Sequence, residues 1–278
     1  MYTPSQIGQI VKIPLIAWPT ILLTLGCIAV EVTVFFLLHN NLINCYLALG
    51  INTIVVYGVF TPMHDASHGS VASRQYSFLN SVIGNLAGFC FPLPFPAFKH
   101  IHLMHHKHTN EEEDPDKWAG RGPFYLLPFR WMTIEIKYYT IYLPKLHTRP
   151  IREAIWAVTS LIGMITIIYT LYNNGYDKAV VWAWILPGRL ATAILACFFD
   201  YLPHRPHIIS KKENPYIATN VTSLIGTQTS FLTWPLLHQN YHNIHHLAPY
   251  IPFYMYSTVW HTLKSDLIAK GTKIKPIL

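Results

Sequence analysis

Histidines are grouped at four places in this chain of 278 residues. Nine of the sixteen histidines belong to the short motifs HDASH, HLMHH, DYLPH and HNIHH. These nine are His64, His68, His102, His105, His106, His204, His242, His245 and His246. Imidazole binds iron, copper, nickel and zinc. Because the spacing HxxHH occurs twice, the sequence predicts a histidine-rich metal site.

The spacing also indicates how many ions the histidines hold. On a helix, residues i, i+3 and i+4 lie on one face, so the imidazoles of each HxxHH motif can converge on one pocket. A zinc ion takes three or four protein ligands, so nine imidazoles imply two metals or one oversized site. Neighbours on a helix diverge by about 100°. His105 and His106 can therefore serve different ions, as can His245 and His246.

Composition and apolar runs indicate which elements position this site. Apolar residues make up 51% of the chain and charged residues 12%, a balance typical of multi-pass membrane proteins. Runs long enough for a bilayer span of about 20 residues cover residues 13–38, 42–63, 154–172 and 179–202. The sequence thus predicts an all-α multi-pass membrane protein whose four transmembrane helices form two hairpins. Both hairpin turns are short and polar.

The distribution of basic residues predicts the orientation. Of the twenty Lys and Arg residues, only Lys178 and Arg189 lie in the second hairpin, and none lies in the turn of the first. The positive-inside rule therefore places the remaining regions in the cytoplasm. All four histidine motifs adjoin these regions. We predict one membrane-embedded domain, residues 1–278, with a cytoplasmic helical cap over residues 64–153 and 203–278, in a bacterial cytoplasmic membrane.

A further apolar run covers residues 78–98. Crossing the bilayer there would put HDASH and HLMHH on opposite faces, and Pro92, Pro94 and Pro96 would disrupt a regular helix. We expect this segment to lie in or dip into the membrane interface, or to form a buried loop of the cap.

In order and separation, the four motifs resemble the histidine boxes of the membrane fatty acid desaturase and hydroxylase superfamily. The resemblance covers about residues 60–260, and residues 108–120 and 242–252 are most similar to bacterial desaturase-like proteins and to the cyanobacterial type of β-carotene hydroxylase. It implies that the nine histidines bind two irons and that dioxygen is a co-substrate in attack on an unactivated C–H bond. Zinc has no redox chemistry for such a reaction.

Three further residues are candidates for water-bridged or outer-shell contacts with the metals. Asp200 precedes His204 by four residues, at a spacing where acyl-CoA desaturases have an Asn, so the Asp departs from the family pattern. Asp65 stands between two predicted ligands, and His238 precedes His242 by one helical turn. We expect each of the three to lie near the site.

Other polar residues have two interpretations. The carboxylates of residues 111–113, Asp114 and Asp116 could orient ligand imidazoles, or could form a solvated loop and helix caps. Glu31 and Arg189 lie within predicted spans, where a charge is costly and often functional. A kink near Pro187 and Gly188 would instead let Arg189 reach the interface.

The sequence has no Rossmann fingerprint, iron–sulfur cysteine set or haem domain, so electrons must come from an external donor. The resemblance implies a donor of the ferredoxin, rubredoxin or cytochrome b5 type. The basic residues follow the topology, which argues against nucleic-acid binding. The favoured function is fatty-acyl (acyl-lipid) desaturation, with carotenoid (β-carotene) ring hydroxylation as the alternative. The ligand number and position disfavour a zinc-dependent membrane hydrolase and a metal transporter or sensor.

Overall fold

The part of the chain that the computed structural model describes, residues 3–91 and 93–278, is mostly helical. The α-helices are α1 (Pro4–Gly8), α2 (Trp18–His39), α3 (Cys45–His68), α4 (Phe78–Cys90), α5 (Phe95–His108), α6 (Leu127–Met132), α7 (Ile134–Tyr142), α8 (Ile151–Leu171), α9 (Asp177–Ala179), α10 (Leu186–Leu195), α11 (Leu202–His204), α12 (His242–Leu247) and α13 (Tyr256–Ala269). Wider π-helical turns cover Tyr172–Tyr176, Val180–Ile185 and Ala196–Tyr201. Short 3₁₀ turns cover Arg74–Tyr76, Pro115–Gly120, Phe124–Leu126, Leu143–Thr148, Ser230–Leu232, Gln239–Tyr241 and Phe253–Met255.

The first predicted hairpin corresponds to α2 and α3. The chain before α2 is extended, and the Ala17 N–H donates to Val71 O at 2.8 Å, which is why the helix begins at Trp18 and not at residue 13. The Asn44 side chain caps α3 by accepting a hydrogen bond from the Leu47 N–H at 2.9 Å. Helix α3 continues beyond the predicted residue 63 to His68. Its last turn therefore carries the HDASH motif.

The second predicted hairpin forms one helical run, Ile151–His204, of 54 residues. A straight helix of that length would measure about 80 Å, far more than the bilayer core. The run is broken at Asn174 and Gly175, whose backbone angles are not helical. Lys178 Nζ donates to Asn41 Oδ1 at 2.8 Å. The break therefore lies beside the turn between α2 and α3.

Three segments within the described residues are long and apolar enough to cross a membrane, namely Trp18–His39, Cys45–His68 and Ile151–His204. They expose large apolar side chains, among them Leu22 at 63% and Ile165 at 58%. Such continuous apolar surface is typical of helices that face lipid. The expectation of several apolar membrane helices is thus confirmed at this level.

Helices α4 and α5 meet at a sharp angle of 103°. Pro94 precedes α5, and Pro96 lies in its first turn, where a helix needs no backbone N–H donor. Pro92 lies outside the described residues. A Cβ added at Gly88 would stand 2.6 Å from Leu93 O, so the joint allows close backbone contact. The prediction that this segment is not one regular helix is confirmed.

The C-terminal part packs on an aromatic core that includes Trp260, Tyr256 and Tyr241, all fully buried. Strands β1 (Val221–Ser223) and β2 (Ile274–Pro276) pair in parallel, with Val221 opposite Ile274. These short strands depart from the all-α expectation. Their pairing joins the end of the chain to the segment between α11 and α12, which carry two of the histidine motifs.

Candidate metal centre

Four separate segments carry the nine motif histidines into one buried region. His64 and His68 lie in the last turn of α3, and His204 ends α11. Helices α5 and α12 each carry a complete HxxHH motif. The expected helical setting of HDASH, HLMHH and HNIHH is therefore confirmed.

The first histidine group is His64, His68, His102, His106 and His245, whose ligand atoms lie within 4.8 Å of one another. The Nε2 atoms of His64 and His245 are 3.0 Å apart, and those of His68 and His102 are 2.8 Å apart. Two nitrogens bound at right angles about 2.1 Å from an ion would themselves be about 3 Å apart. The spacing of this group fits coordination of one metal ion.

The second histidine group is His105, His204, His242 and His246, which satisfies the same 4.8 Å limit. Nε2 of His204 lies 2.9 Å from Nε2 of His242, and Nε2 of His246 lies 3.0 Å from the same atom. The sequence neighbours His105 and His106 fall in different groups, as do His245 and His246. That is the division expected from their angular separation on a helix. The two groups together fit two ions.

Two acidic side chains lie within hydrogen-bonding distance of His105 Nδ1, the ring nitrogen that does not face the other histidines. Its Nδ1 lies 2.8 Å from Asp114 Oδ1 and 3.3 Å from Asp116 Oδ2. Asp114 also accepts hydrogen bonds from the backbone N–H groups of Asn110 and Asp116, at 2.7 and 2.9 Å. Tyr138 donates to Asp116 Oδ1 at 2.6 Å. Asp114 therefore both caps a turn and orients a predicted ligand, so its two sequence interpretations are compatible.

Neutral donors and acceptors contact two histidines of α12, which carries the second HxxHH motif. Nδ1 of His245 lies 3.0 Å from the hydroxyl of Tyr256, and Nδ1 of His246 lies 3.5 Å from Thr109 Oγ1. Such contacts fix which nitrogen faces the metal. The Nδ1 atoms of four other group members have no hydrogen-bond partner within residues 3–91 and 93–278, namely those of His64, His106, His204 and His242.

Burial keeps the α12 histidines neutral. It lowers the pKa of His242, His245 and His246 well below the ordinary value, and the neighbouring imidazoles lower it further. Neutral imidazole is the form that binds a metal. The site is therefore prepared for metal binding without first losing protons from this helix.

The family model for fatty acid desaturase matches residues 41–276 of the chain. The chain belongs to the fatty acid desaturase family. A β-carotene ketolase from Paracoccus sp. (strain PC1) is 29% identical over 199 residues, which are 71% of each chain. An sn-1 oleoyl-lipid 12-desaturase from Synechocystis sp. is 24% identical over 277 residues, covering 90% of this chain and 76% of the relative. A dihydrorhizobitoxine desaturase from Bradyrhizobium elkanii is 26% identical over 229 residues, covering 71% and 61%.

This membership confirms the superfamily resemblance that the histidine motifs indicate. The chain is an oxidoreductase of the desaturase family, and its apolar helices are those of an integral membrane protein. Its relatives support oxidation of a lipid. They also include β-carotene ketolases. The reaction in that name differs from the ring hydroxylation that the sequence analysis considers. The buried histidine groups form a metal site consistent with two ions.

Within this desaturase-family fold, Asp65 links three elements beside the site. Its Oδ2 accepts hydrogen bonds from Thr20 Oγ1 in α2 and from the Phe253 N–H, both at 3.2 Å. Its Oδ1 lies 4.0 Å from His64 Nδ1, which is too far for a hydrogen bond. The structure therefore brings Asp65 next to a predicted ligand, where it joins α2 and the C-terminal part to α3.

Asp200 lies in the π-helical turn before α11 and belongs to neither histidine group. It lines a small cavity, which we call the inner cavity, together with His102, Phe199 and Tyr138. Arg189 lines the same cavity and forms an ion pair with Glu135 of α7. Arg189 is thus partly exposed and paired. Sequence spacing could not identify its partner, because Glu135 is 54 residues away.

His238 is not one helical turn before His242, and that expectation is wrong. Its backbone is left-handed, with φ of 62°, so the helix of His242 does not extend back to it. The ring lies against Trp234 and Phe253, with centroid distances of 5.3 and 5.9 Å, outside both histidine groups. Burial lowers the pKa of His238 to about 4.

Proposed function

We propose that this chain is a membrane-bound, oxygen-dependent, non-haem diiron oxidoreductase that acts on a C–H bond of a lipid. Its reaction is fatty-acyl desaturation of an acyl lipid. The observation that carries the proposal is the convergence of nine mostly buried histidines into two groups, in a chain of the fatty acid desaturase family.

The nine group histidines would hold the two irons, five around one ion and four around the other. Bound iron would supply the reduction of dioxygen and the activation of the C–H bond. The surplus of imidazoles over the three or four ligands of a zinc ion argues against a zinc-dependent hydrolase. Asp114 and Tyr256 would orient His105 and His245 from outside. Electrons would come from a separate donor of the ferredoxin, rubredoxin or cytochrome b5 type.

The similarity to an acyl-lipid desaturase over 90% of this chain supports an acyl chain as substrate. The inner cavity, of about 50 Å³, lies beside the predicted ligand His102. Phe60 and Phe199 line it together with the polar side chains of Tyr138 and Asp200. Arg189 and Glu135 would bound the cavity away from the metals.

Carotenoid ring oxidation is the second candidate, favoured by the similarity to β-carotene ketolases. It would use the same histidines and the same oxidant. It differs in the substrate that would have to reach the metal site. The substrate class therefore distinguishes the two candidates, and the metal chemistry does not.

We further propose four membrane spans in a single domain, residues 1–278. The break at Asn174 and Gly175 would let the run Ile151–His204 cross the bilayer twice. The distribution of Lys and Arg supports a cytoplasmic position for the histidine motifs and the cap. A lipid dissolved in the bilayer would then reach the site without leaving the membrane.

The proposal can be tested in a bacterial host that makes both acyl lipids and β-carotene, with candidate donors co-expressed. Acyl chains and pigments are profiled with the intact chain and with His105→Ala and His245→Ala, one change in each histidine group. His147→Ala, at an exposed histidine outside both groups, is the matched control. We expect a new acyl double bond with the intact chain and the control only.

A newly oxidised carotenoid with unchanged acyl chains would replace the acyl proposal by the second candidate. Unchanged lipids and pigments from a protein that carries two irons and accepts electrons would contradict both. Purified protein that contains zinc and turns over without reductant would contradict the oxidoreductase assignment itself.

A further inference from the structure

A second cavity lies among the apolar helices and is much larger than the inner cavity. Its volume is about 700 Å³, within the range of small-molecule sites. We call it the membrane cavity. It is bounded by α2, by α4 and by the segment around the break in the long helical run. The residues that form most of its wall are apolar, and they include Phe35, Phe36, Phe89 and Trp184.

Glu31 of α2 is the carboxylic acid in the lining of this apolar cavity. It is 7% exposed, and its Oε1 has no hydrogen-bond partner among the residues that the structure describes. The Cys90 thiol contacts the carboxyl group from α4. A carboxyl group without a full set of partners is costly at this depth in an apolar helix. Glu31 Oε1 is therefore a buried carboxyl oxygen whose hydrogen-bonding capacity is unused.

The side-chain amide of Asn85 in the wall already has hydrogen-bond partners. Asn85 Nδ2 donates to Ser81 O at 2.6 Å, and its Oδ1 accepts a hydrogen bond from Trp156 Nε1 at 3.1 Å. Trp184 Nε1 donates to Phe89 O at 3.1 Å. Among the buried side-chain oxygens of the described wall, Glu31 Oε1 therefore stands without a partner, and Tyr176 is a further polar residue of the lining.

The membrane cavity is separate from the metal centre. Thr20 marks the metal end of α2, because it donates to Asp65 beside His64. Glu31 lies eleven residues further along the helix, which corresponds to about 16 Å at a rise of 1.5 Å per residue. The two cavities have no lining residue in common. A ligand in the membrane cavity would not occupy the position of a substrate at His102.

We propose that the membrane cavity binds a second lipid, a long-chain molecule with one hydroxyl group, whose O–H donates to Glu31 Oε1. A hydroxyl group supplies the missing donor and is neutral, so it enters an apolar cavity at lower cost than an ammonium group. Partly exposed Val32, Phe36 and Leu86 border the cavity, so entry from the lipid phase is open. The inference does not depend on the proposed reaction.

The test uses the intact, metal-loaded chain in phospholipid nanodiscs and three photoreactive probes of equal chain length. The probes are a primary alcohol, its methyl ether and the corresponding amine, each with a diazirine in the chain. Labelled peptides are identified by mass spectrometry. We expect the alcohol to label residues 82–90 and 183–184 about tenfold more than the ether, the effect of one buried hydrogen bond.

Variants of Glu31 link this preference to the carboxyl group. Glu31→Leu should remove the preference for the alcohol, whereas Glu31→Gln should keep most of it because an amide oxygen still accepts. Thr33→Leu is the matched control, since it removes a polar group from an exposed position on the same helix. Retained metal content and helicity establish that each variant folds.

Equal labelling by alcohol and ether in the unaltered chain would overturn the proposal, whatever the behaviour of the variants. Preferential labelling by the amine would also overturn it, because Glu31 would then be a site for a cation. Alcohol labelling that Glu31→Leu leaves unchanged would assign the cavity to apolar contacts alone. Since the readout is binding, none of these outcomes depends on whether the chain desaturates a lipid.

Discussion

At the scale of single residues, the position of a carboxylate decides whether it supports the metal site. Five acidic residues, 111–114 and 116, follow the second histidine motif closely. Glu112 pairs with Lys117 and Arg121 on the surface, as expected for a solvated loop. Asp114 and Asp116 instead turn inward to His105. The two aspartates lie at the start of the 3₁₀ turn Pro115–Gly120, which brings their side chains to His105.

Asp114→Asn should weaken metal binding in the second histidine group. The amide carries no charge to hold the His105 N–H, and such changes reduce metal affinity by about 10- to 100-fold. We expect purified protein to lose about one of two metal ions during competition with a chelator, as measured by elemental analysis. Glu113→Gln, at an exposed acid of the same loop, should keep both. Equal metal loss in the two variants would contradict the role given to Asp114.

Tyr256→Phe tests the first histidine group in the same way. The change removes the hydroxyl that lies 3.0 Å from His245 Nδ1 and retains the buried ring. We expect a smaller loss of affinity, about tenfold, because the lost contact is neutral. The double variant Tyr256→Phe with Asp114→Asn should lose as much metal as the two single variants together, because each change affects a different histidine group. If Tyr256→Phe removed metal from the second histidine group alone, the two groups would not hold separate ions.

At the scale of elements, the joint between α4 and α5 determines where the second histidine motif points. The axes turn by 103°, and Gly88 allows the backbone after α4 to fold back closely on the helix. Gly84 similarly faces the Phe95 ring, from which an added Cβ would be only 2.4 Å away. Small residues on α4 thus allow α5 to approach the end of α3.

Gly88→Ala should therefore destabilise the protein. Its Cβ would meet the carbonyl oxygen of Leu93, a backbone atom that cannot rotate away, at a cost of about 1–3 kcal/mol. We expect the apparent melting temperature in detergent to fall by about 2–10 °C. Gly163→Ala in α8 is the matched control, since nothing lies within 4 Å of its Cβ position and alanine favours a helix. An unchanged melting temperature for Gly88→Ala would mean that the joint is looser than described.

At the scale of the whole molecule, the histidine groups join segments that are distant in sequence. The first group connects α3, α5 and α12, and the second connects α5, α11 and α12. Metal binding should thus stabilise the packing of the C-terminal part on the apolar helices. Removal of the metals with a chelator should lower the apparent melting temperature by several degrees, and added ferrous iron should restore it. A melting temperature independent of metal would show that packing alone holds these segments together.

Topology is also a property of the whole chain. We expect single cysteines at Asn40 and Asn174, placed in a background with the four native cysteines replaced, to react with an impermeant maleimide on intact cells. A cysteine at Thr148 should react only after lysis. Reaction of Asn40 and Asn174 on opposite sides would contradict the arrangement in which Lys178 contacts Asn41. Reaction of all three from outside would contradict the cytoplasmic cap.

Much of the site is predictable because its information is local. Histidine spacing depends only on helix geometry, so the sequence alone assigns HDASH, HLMHH and HNIHH to helical faces. The division of His105 and His106 between two groups follows from the same angle. Apolar runs likewise predict the membrane helices, with ends that shift where extended backbone or a cap intervenes. His238 departs from this logic, because Leu237 and His238 are both left-handed and a 3₁₀ turn separates them from the start of α12 at His242.

The sequence by itself thus determined the ligand type, its local spacing, the membrane helices and the family chemistry. Tertiary structure alone decided which histidines share a group, which carboxylate reaches His105, and that Arg189 pairs with Glu135. It also formed the membrane cavity and left a Glu31 oxygen inside it. The physical reason is that helix faces and hydropathy depend on neighbours in the chain. Contacts between distant segments depend on how whole helices pack, and residue spacing in the sequence does not determine that packing.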